Sequence, residues 1–158
     1  MKFHKNLMSI ILIIILLAMG TFFIINMKKA NSVQIQTISE NIGGKVFSLE
    51  IASNEPSREL GLGQRDSLAE NGGMIFAFNK LDKYGFWMKD TKFPLDIIWL
   101  NQNCTVVGKA AMLPESFPKV FYPDLPAIYA IELPINSASN VKESDTLSCS
   151  DINQIKSQ

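Results

Sequence analysis

Between residues 72 and 100 apolar and polar positions alternate in three strand-like runs, GMIFAF, YGFWMK and LDIIWL, broken by NKLDK and by Pro94. On an extended chain neighbouring side chains point to opposite faces. Trp87 and Lys89 therefore share one face, and Phe86 and Met88 share the other. Asp96 falls in register with Ile98 and Leu100, a carboxylate on a mostly apolar face, where charge is costly unless paired. Alternation also marks residues 33–38 and 45–52 as strands. Ser53-Asn54-Glu55-Pro56 carries a helix start, with a capping side chain, an acid in the first turn and an early proline. Gly61 and Gly63 stop that helix, which gives it the extent 55–60. Residues 66–73 read as a loop, and Asn101-Gln102-Asn103 as a hairpin connection into CTVVGKA. Pro114, Pro118, Pro123 and Pro126 exclude helix and central strand from 113–126, which reads as an ordered surface loop. AIYAIEL is a further strand, 136–140 a turn or short helix, and 145–149 the last strand. The pattern predicts a mainly β (α+β) domain. Its seven or eight short strands would form a compact barrel- or sandwich-like sheet with one or two short helices.

A different pattern precedes this domain. Residues 7–25 contain no charge, and a helix of about 20 mostly apolar residues suffices to cross a bilayer core. A cleaved signal peptide would have a shorter apolar region of roughly 7–15 residues and a small-residue cleavage site. Here the run is long and ends at Asn26-Met27-Lys28-Lys29, so a retained transmembrane signal-anchor is expected. The lysines balance across the segment, and the amino-terminal charge favours N-inside. The resulting organisation is a cytoplasmic tail at 1–6, the anchor at 7–25, a linker at 26–32 and an extracytoplasmic domain at 33–158. The expected address is the cell membrane, single-pass, with the C-terminal domain on the periplasmic or cell-surface side.

The formal net charge of zero hides an asymmetry, because four of the 15 basic residues lie before residue 30 and no acid precedes Glu40. The remainder holds 11 basic against 15 acidic residues, a net of −4, without a basic stripe. Nucleic acid is not an expected partner; a monomer is. The only histidine, His4, lies on the far side of the apolar segment. Histidine-dependent nucleophile activation and most zinc sites are thereby excluded from the domain, and no cofactor or metal is implied. Cys104 and Cys149 could form a disulfide, as is common in exported domains, or remain two buried thiols.

Several of these runs occur together in one order: Arg58-Glu-Leu-Gly61-Leu62-Gly63-Gln-Arg65, Gly73-Met74-Ile75-Phe76, Phe86-Trp87-Met88-Lys89-Asp90-Thr91, Pro94-Leu95-Asp96-Ile97-Ile98 and Ile131-Glu132-Leu133-Pro134. In this the chain resembles the bacterial and archaeal family called domain of unknown function 192, over roughly residues 45–149. The resemblance implies a small β-rich domain, often behind a signal or anchor, without an established activity. The sequence departs from the family pattern in a few places. Gly63 stands where methionine is usual, and Asp90 where asparagine is common. Asn136 and Ser144 replace glycines.

Within these runs the candidate binding residues are Arg58, Arg65, Trp87, Lys89, Thr91 and Asp96. Lys89 and Asp96 flank a short connection and could pair, with Arg58 as a second cation and Trp87 as a stacking wall. Such a pair can equally serve only to fix structure. Glu132 shares a face with Ile128 and Ala130, and reads more readily as a rim charge than as a second acid–base carboxylate. Three functions follow. The first is an anchored module binding a small polar ligand such as a sugar or carboxylate, or an envelope accessory module. The second is a hydrolase of envelope carbohydrate that needs no histidine and works through Asp96, Lys89 and Glu132. The third is a purely structural envelope protein.

Overall fold

The computed structural model describes residues 14, 16–21, 36–148, 151, 152 and 155. The chain divides into two compact units, Met1–Gln34 and Ile35–Gln158. In the first, residues 14 and 16–21 are helical. Among the described residues no helix is long and apolar enough to cross a membrane. The rest of the expected anchor, and the linker at 26–32, lie outside the described residues.

The second unit is built on one six-stranded mixed sheet. Its elements are β1 (Thr37–Ile42), β2 (Lys45–Ala52), α1 (Glu55–Leu60), β3 (Gly72–Asp82), β4 (Leu95–Leu100), β5 (Val106–Met112) and β6 (Ala127–Pro134), with a 3₁₀ turn at Pro114–Ser116. The strand order is β1-β2-β3-β6-β4-β5. Only β2 and β3 run parallel, and the crossover between them carries α1. The helix has the limits its punctuation predicts. Asn54 and Ser57 form a reciprocal capping box, Pro56 lies in the first turn, and Gly61 ends it.

The expected barrel or sandwich of seven or eight strands is not what forms. Among the described residues β1 and β5 are the open edges of a single sheet. The run YGFWMK contributes only a bridge between Phe86 and Phe121, and the expected last strand only one between Thr105 and Thr146. The reason is the strand order. β4 lies between β6 and β5, so both its hydrogen-bonding edges are taken and neither run can pair with it. Both become covers for the sheet faces instead.

Two apolar clusters result, one on each face. On the first, Phe47, Leu49, Ile75, Ile98, Leu100, Ile131 and Leu133 pack beneath Ala138, Val141 and Ile152 of the C-terminal segment. On the second, Met74, Phe76, Leu95, Ile97, Trp99 and Ala130 pack beneath Leu62, Phe86 and Met88. Burying side chains of this size is worth roughly 1.5–3 kcal/mol each. Trp99, fully buried, also satisfies its indole N–H by donating to the Tyr84 carbonyl at 3.0 Å, which fixes the 83–94 connection to the sheet.

Candidate functional site

The second face carries a group of polar side chains beside a cavity. Alternation places Glu50 of β2, Met74 of β3, Glu132 of β6 and Ile97 of β4 in one cross-strand row. Two carboxyls thus stand on one face, flanking Met74. Arg65, from the loop after α1, donates both arms of its guanidinium to Glu50, at 2.5 and 2.7 Å. These bonds hold the Glu50 carboxyl below its ordinary range, against the opposing effect of burial. The same bonds raise Arg65.

Glu132 has no such partner. It is 5 % exposed and, among the described residues, makes no hydrogen bond or ion pair. Burial pushes its pKa up to about 8, and the more distant charge of Arg65 offsets only part of this. Its carboxyl lines an open cavity of about 480 Å³ formed by α1, the following glycine turn, β3 and the 84–91 segment. Gly61 lies against this carboxyl. Its backbone (φ 52°, ψ −136°) is one that essentially only glycine adopts, and a Cβ there would stand 3.9 Å from Glu132 Oε2 and 3.5 Å from the Phe76 ring.

The walls are aromatic, but their ring faces are not equally free. Phe78 is stacked by Tyr84 (centroids 3.5 Å apart) and by the Arg58 guanidinium at 5.4 Å. Phe86 is packed edge-on against Phe76 and Trp99. Trp87, 52 % exposed, makes no ring contact among the described residues and is the platform left open. With Lys89 it forms a rib between this cavity and a neighbouring hollow of about 540 Å³.

The candidates from the sequence divide accordingly. Arg58, Trp87, Lys89 and Thr91 all line the cavity. Arg58 is partly engaged in structure, donating from Nη1 to the carbonyls of Ser53 (2.6 Å) and Ala77 (3.0 Å). Arg65 lies behind Glu132, bound to Glu50. Lys89 has no ion-pair partner among the described residues.

Asp96 is elsewhere. It is in register with Leu133 of β6, on the opposite face of the sheet, where its Oδ2 accepts a 2.8 Å hydrogen bond from the Ala138 N–H. The cation beside it is Lys109, which donates to the Val141 carbonyl at 2.6 Å. The expected Asp96–Lys89 pair therefore does not form, because 86–89 covers the other face. For the same reason a two-carboxylate site of Asp96 and Glu132 is ruled out. Glu132 is also no rim charge: β6 is central in the sheet, with β3 and β4 on its two edges. Among the described residues no three His, Cys, Asp or Glu side chains cluster as a metal site. Cys104 is buried and is not a free thiol, while Cys149 lies outside the described residues.

A family model described as "Uncharacterized ACR" matches residues 37–149. Among curated proteins none matches the chain. A crystal structure of a protein of unknown function from Novosphingobium aromaticivorans DSM 12444 is similar, with TM-score 0.67 and 25% identity, covering 75% of this chain and 89% of that one. A second, from Sinorhizobium meliloti 1021 and described as a candidate transcription regulator, has TM-score 0.64 and 25% identity, covering 75% and 97%.

Proposed function

The chain belongs to the uncharacterised family called domain of unknown function 192, and from that premise we propose that its domain is a binding module for a small polar ligand of sugar or carboxylate type. The observation that carries this reading is the cavity with Glu132 at its floor. Its carboxyl costs the fold stability while it lacks a partner, and, unlike the equally buried Glu40, it lines a cavity where a ligand group can supply one. The surroundings suit a ligand of monosaccharide size. The open face of Trp87 can stack on an apolar ring face, while Thr91, Lys89 and the remaining donors of Arg58 address hydroxyl or carboxylate oxygens. The apolar run at 7–25 supports a location at the membrane, with the module facing outward and meeting ligands of the envelope or medium.

Differential scanning of the full-length chain against monosaccharides, sugar acids and small carboxylates tests the proposal. A ligand that binds only the folded state raises the melting temperature in proportion to the logarithm of its concentration. At least one member of the set should do so in the wild type and fail to do so in Trp87→Ala. Uniform silence across the set would sink the reading. The address is tested separately: full-length mass in the membrane fraction supports it, and a mature N-terminus near residue 27 or 31 refutes it.

A further inference from the structure

Resting on that reading of the pocket, we infer that Glu132 meets the ligand as a neutral carboxylic acid that donates its O–H to an acceptor-only group, so that the ligand is a hydroxylated carboxylate of sugar-acid type. Two carboxyls stand in one cross-strand row, and one arginine is within reach of both. Arg65 is committed to Glu50 through two short parallel bonds, a geometry far stronger than a single contact. Glu132, nineteen-twentieths buried, is left facing the cavity without a counter-charge. A carboxyl in that position keeps its proton, and the strong upward push that burial gives its pKa agrees.

A protonated carboxyl adds one more donor to a site already rich in them. Arg58 and Lys89 line the same cavity and can only donate. The Tyr84 hydroxyl is turned away, donating to the Lys80 carbonyl at 2.9 Å. The acids on the cavity's helical side, Glu55 and Glu59, are exposed to water, as are Lys80 and Lys89, so these charges are screened. β4 presents apolar Ile97 beside Glu132. A donor-rich floor selects a group that only accepts, and a carboxylate fits: it shares the Glu132 proton in a short charged hydrogen bond while half-buried Arg58, the less screened of the two cations, balances its charge. An amine would have to ionise Glu132 and then stand among Arg58 and Lys89.

The experiment is calorimetric titration of the full-length chain with galacturonate, galactose and galactosamine at about pH 6, 7.5 and 9. Galacturonate should bind at least about tenfold more tightly than galactose. Above the Glu132 midpoint its affinity should fall by up to about tenfold per pH unit, because the ionised carboxyl repels it. In Glu132→Gln, where an amide N–H donates instead, affinity should no longer vary over this range, and in Glu132→Ala it should fall at least about tenfold. Equal binding of galactose and galacturonate would overturn the inference and leave the sugar pocket standing. Tighter binding of galactosamine than of galacturonate at pH 6, where its ammonium form predominates, would overturn it in favour of an ionised Glu132. No binding of any of the three would remove the pocket reading as well. Carboxyl carbon NMR of the unliganded wild type needs no ligand: a Glu132 midpoint near pH 8 supports the inference, and one near 4.5 refutes it outright.

Discussion

Replacing Glu132 by glutamine should stabilise the domain at neutral pH, and by an amount that grows with pH. The folded-state pKa is raised from 4.5 to about 8. A raised carboxyl favours the folded state fully below the unfolded pKa, and that advantage is lost as pH rises through the folded one. At about 1.4 kcal/mol per unit, the full span is about 5 kcal/mol, of which about 3 has gone by pH 7. Glutamine keeps the shape, has no charge to desolvate and does not titrate. The two proteins should therefore differ little at about pH 4.5. At pH 7 the variant should be ahead by about 3 kcal/mol, and by pH 9 by more. Urea unfolding followed by Trp fluorescence measures this, with midpoints compared at equal m-values so that a change in the unfolded state is not mistaken for one in stability. Parallel pH profiles for the two proteins would refute the reasoning, because they would mean that Glu132 titrates alike folded and unfolded.

Ser144 has φ 71°, a left-handed conformation that costs a side chain roughly 1–2 kcal/mol. Ser144→Gly should accordingly raise stability by about 0.5–1 kcal/mol after the extra backbone entropy of glycine is deducted, read from the thermal midpoint. Asp96→Ala should cost about 1–3 kcal/mol by leaving the buried Ala138 N–H without an acceptor, and it should leave ligand-induced thermal shifts intact. Arg65→Met should strand Glu50, so that stability falls most above pH 5, where that carboxyl is ionised, and the loss shrinks as pH drops. Reducing the disulfide that holds Cys104 should add two hydrogens by mass and lower stability by about 4 kcal/mol.

Which parts of this were legible depends on what sequence patterns report. The limits of α1 were readable because asparagine, proline and glycine act locally, through caps and dihedrals that need no tertiary context. The left-handed turns show only in part, and only against the family pattern. Asp90, Asn136 and Ser144, which stand where the family favours asparagine or glycine, all have positive φ. In the YGFWMK run, alternation correctly separated buried Phe86 and Met88 from exposed Trp87 and Lys89. Alternation reports a face, however, and not a partner. It could not say that this run lies across the sheet rather than beside β4, and the supposed Asp96–Lys89 contact failed on that point. Glu132 was misread for a related reason. Its face was assigned correctly with Ala130, but a carboxylate is by habit placed at the rim. The overlooked signal was AIYAIEL itself, whose apolar residues fall on both faces, as they do in a strand buried at the middle of a sheet.

Of the three buried carboxyls, Glu40, Asp96 and Glu132, the last two give opposite answers to one question. They are almost equally hidden, at 8 % and 5 % exposure, and they sit on adjacent strands. Asp96 has its N–H and a neighbouring lysine on its own face, so its burial is accounted for by the fold, and removing it should weaken the domain. Glu132 has an apolar row on either side and an arginine already spent on Glu50, so the fold would be better without it. A loss of about 3 kcal/mol is a large fraction of the 5–15 kcal/mol that separates a typical domain from its unfolded state. Glu40, 2 % exposed, also leaves its Oε1 without a partner, but Glu132 differs in lining a cavity, where a partner from outside can reach it. If Asp96→Ala and Glu132→Gln both weakened the domain at neutral pH, Glu132 would be one more structural carboxyl, and the cavity would lose the group that sets it apart from a mere surface hollow.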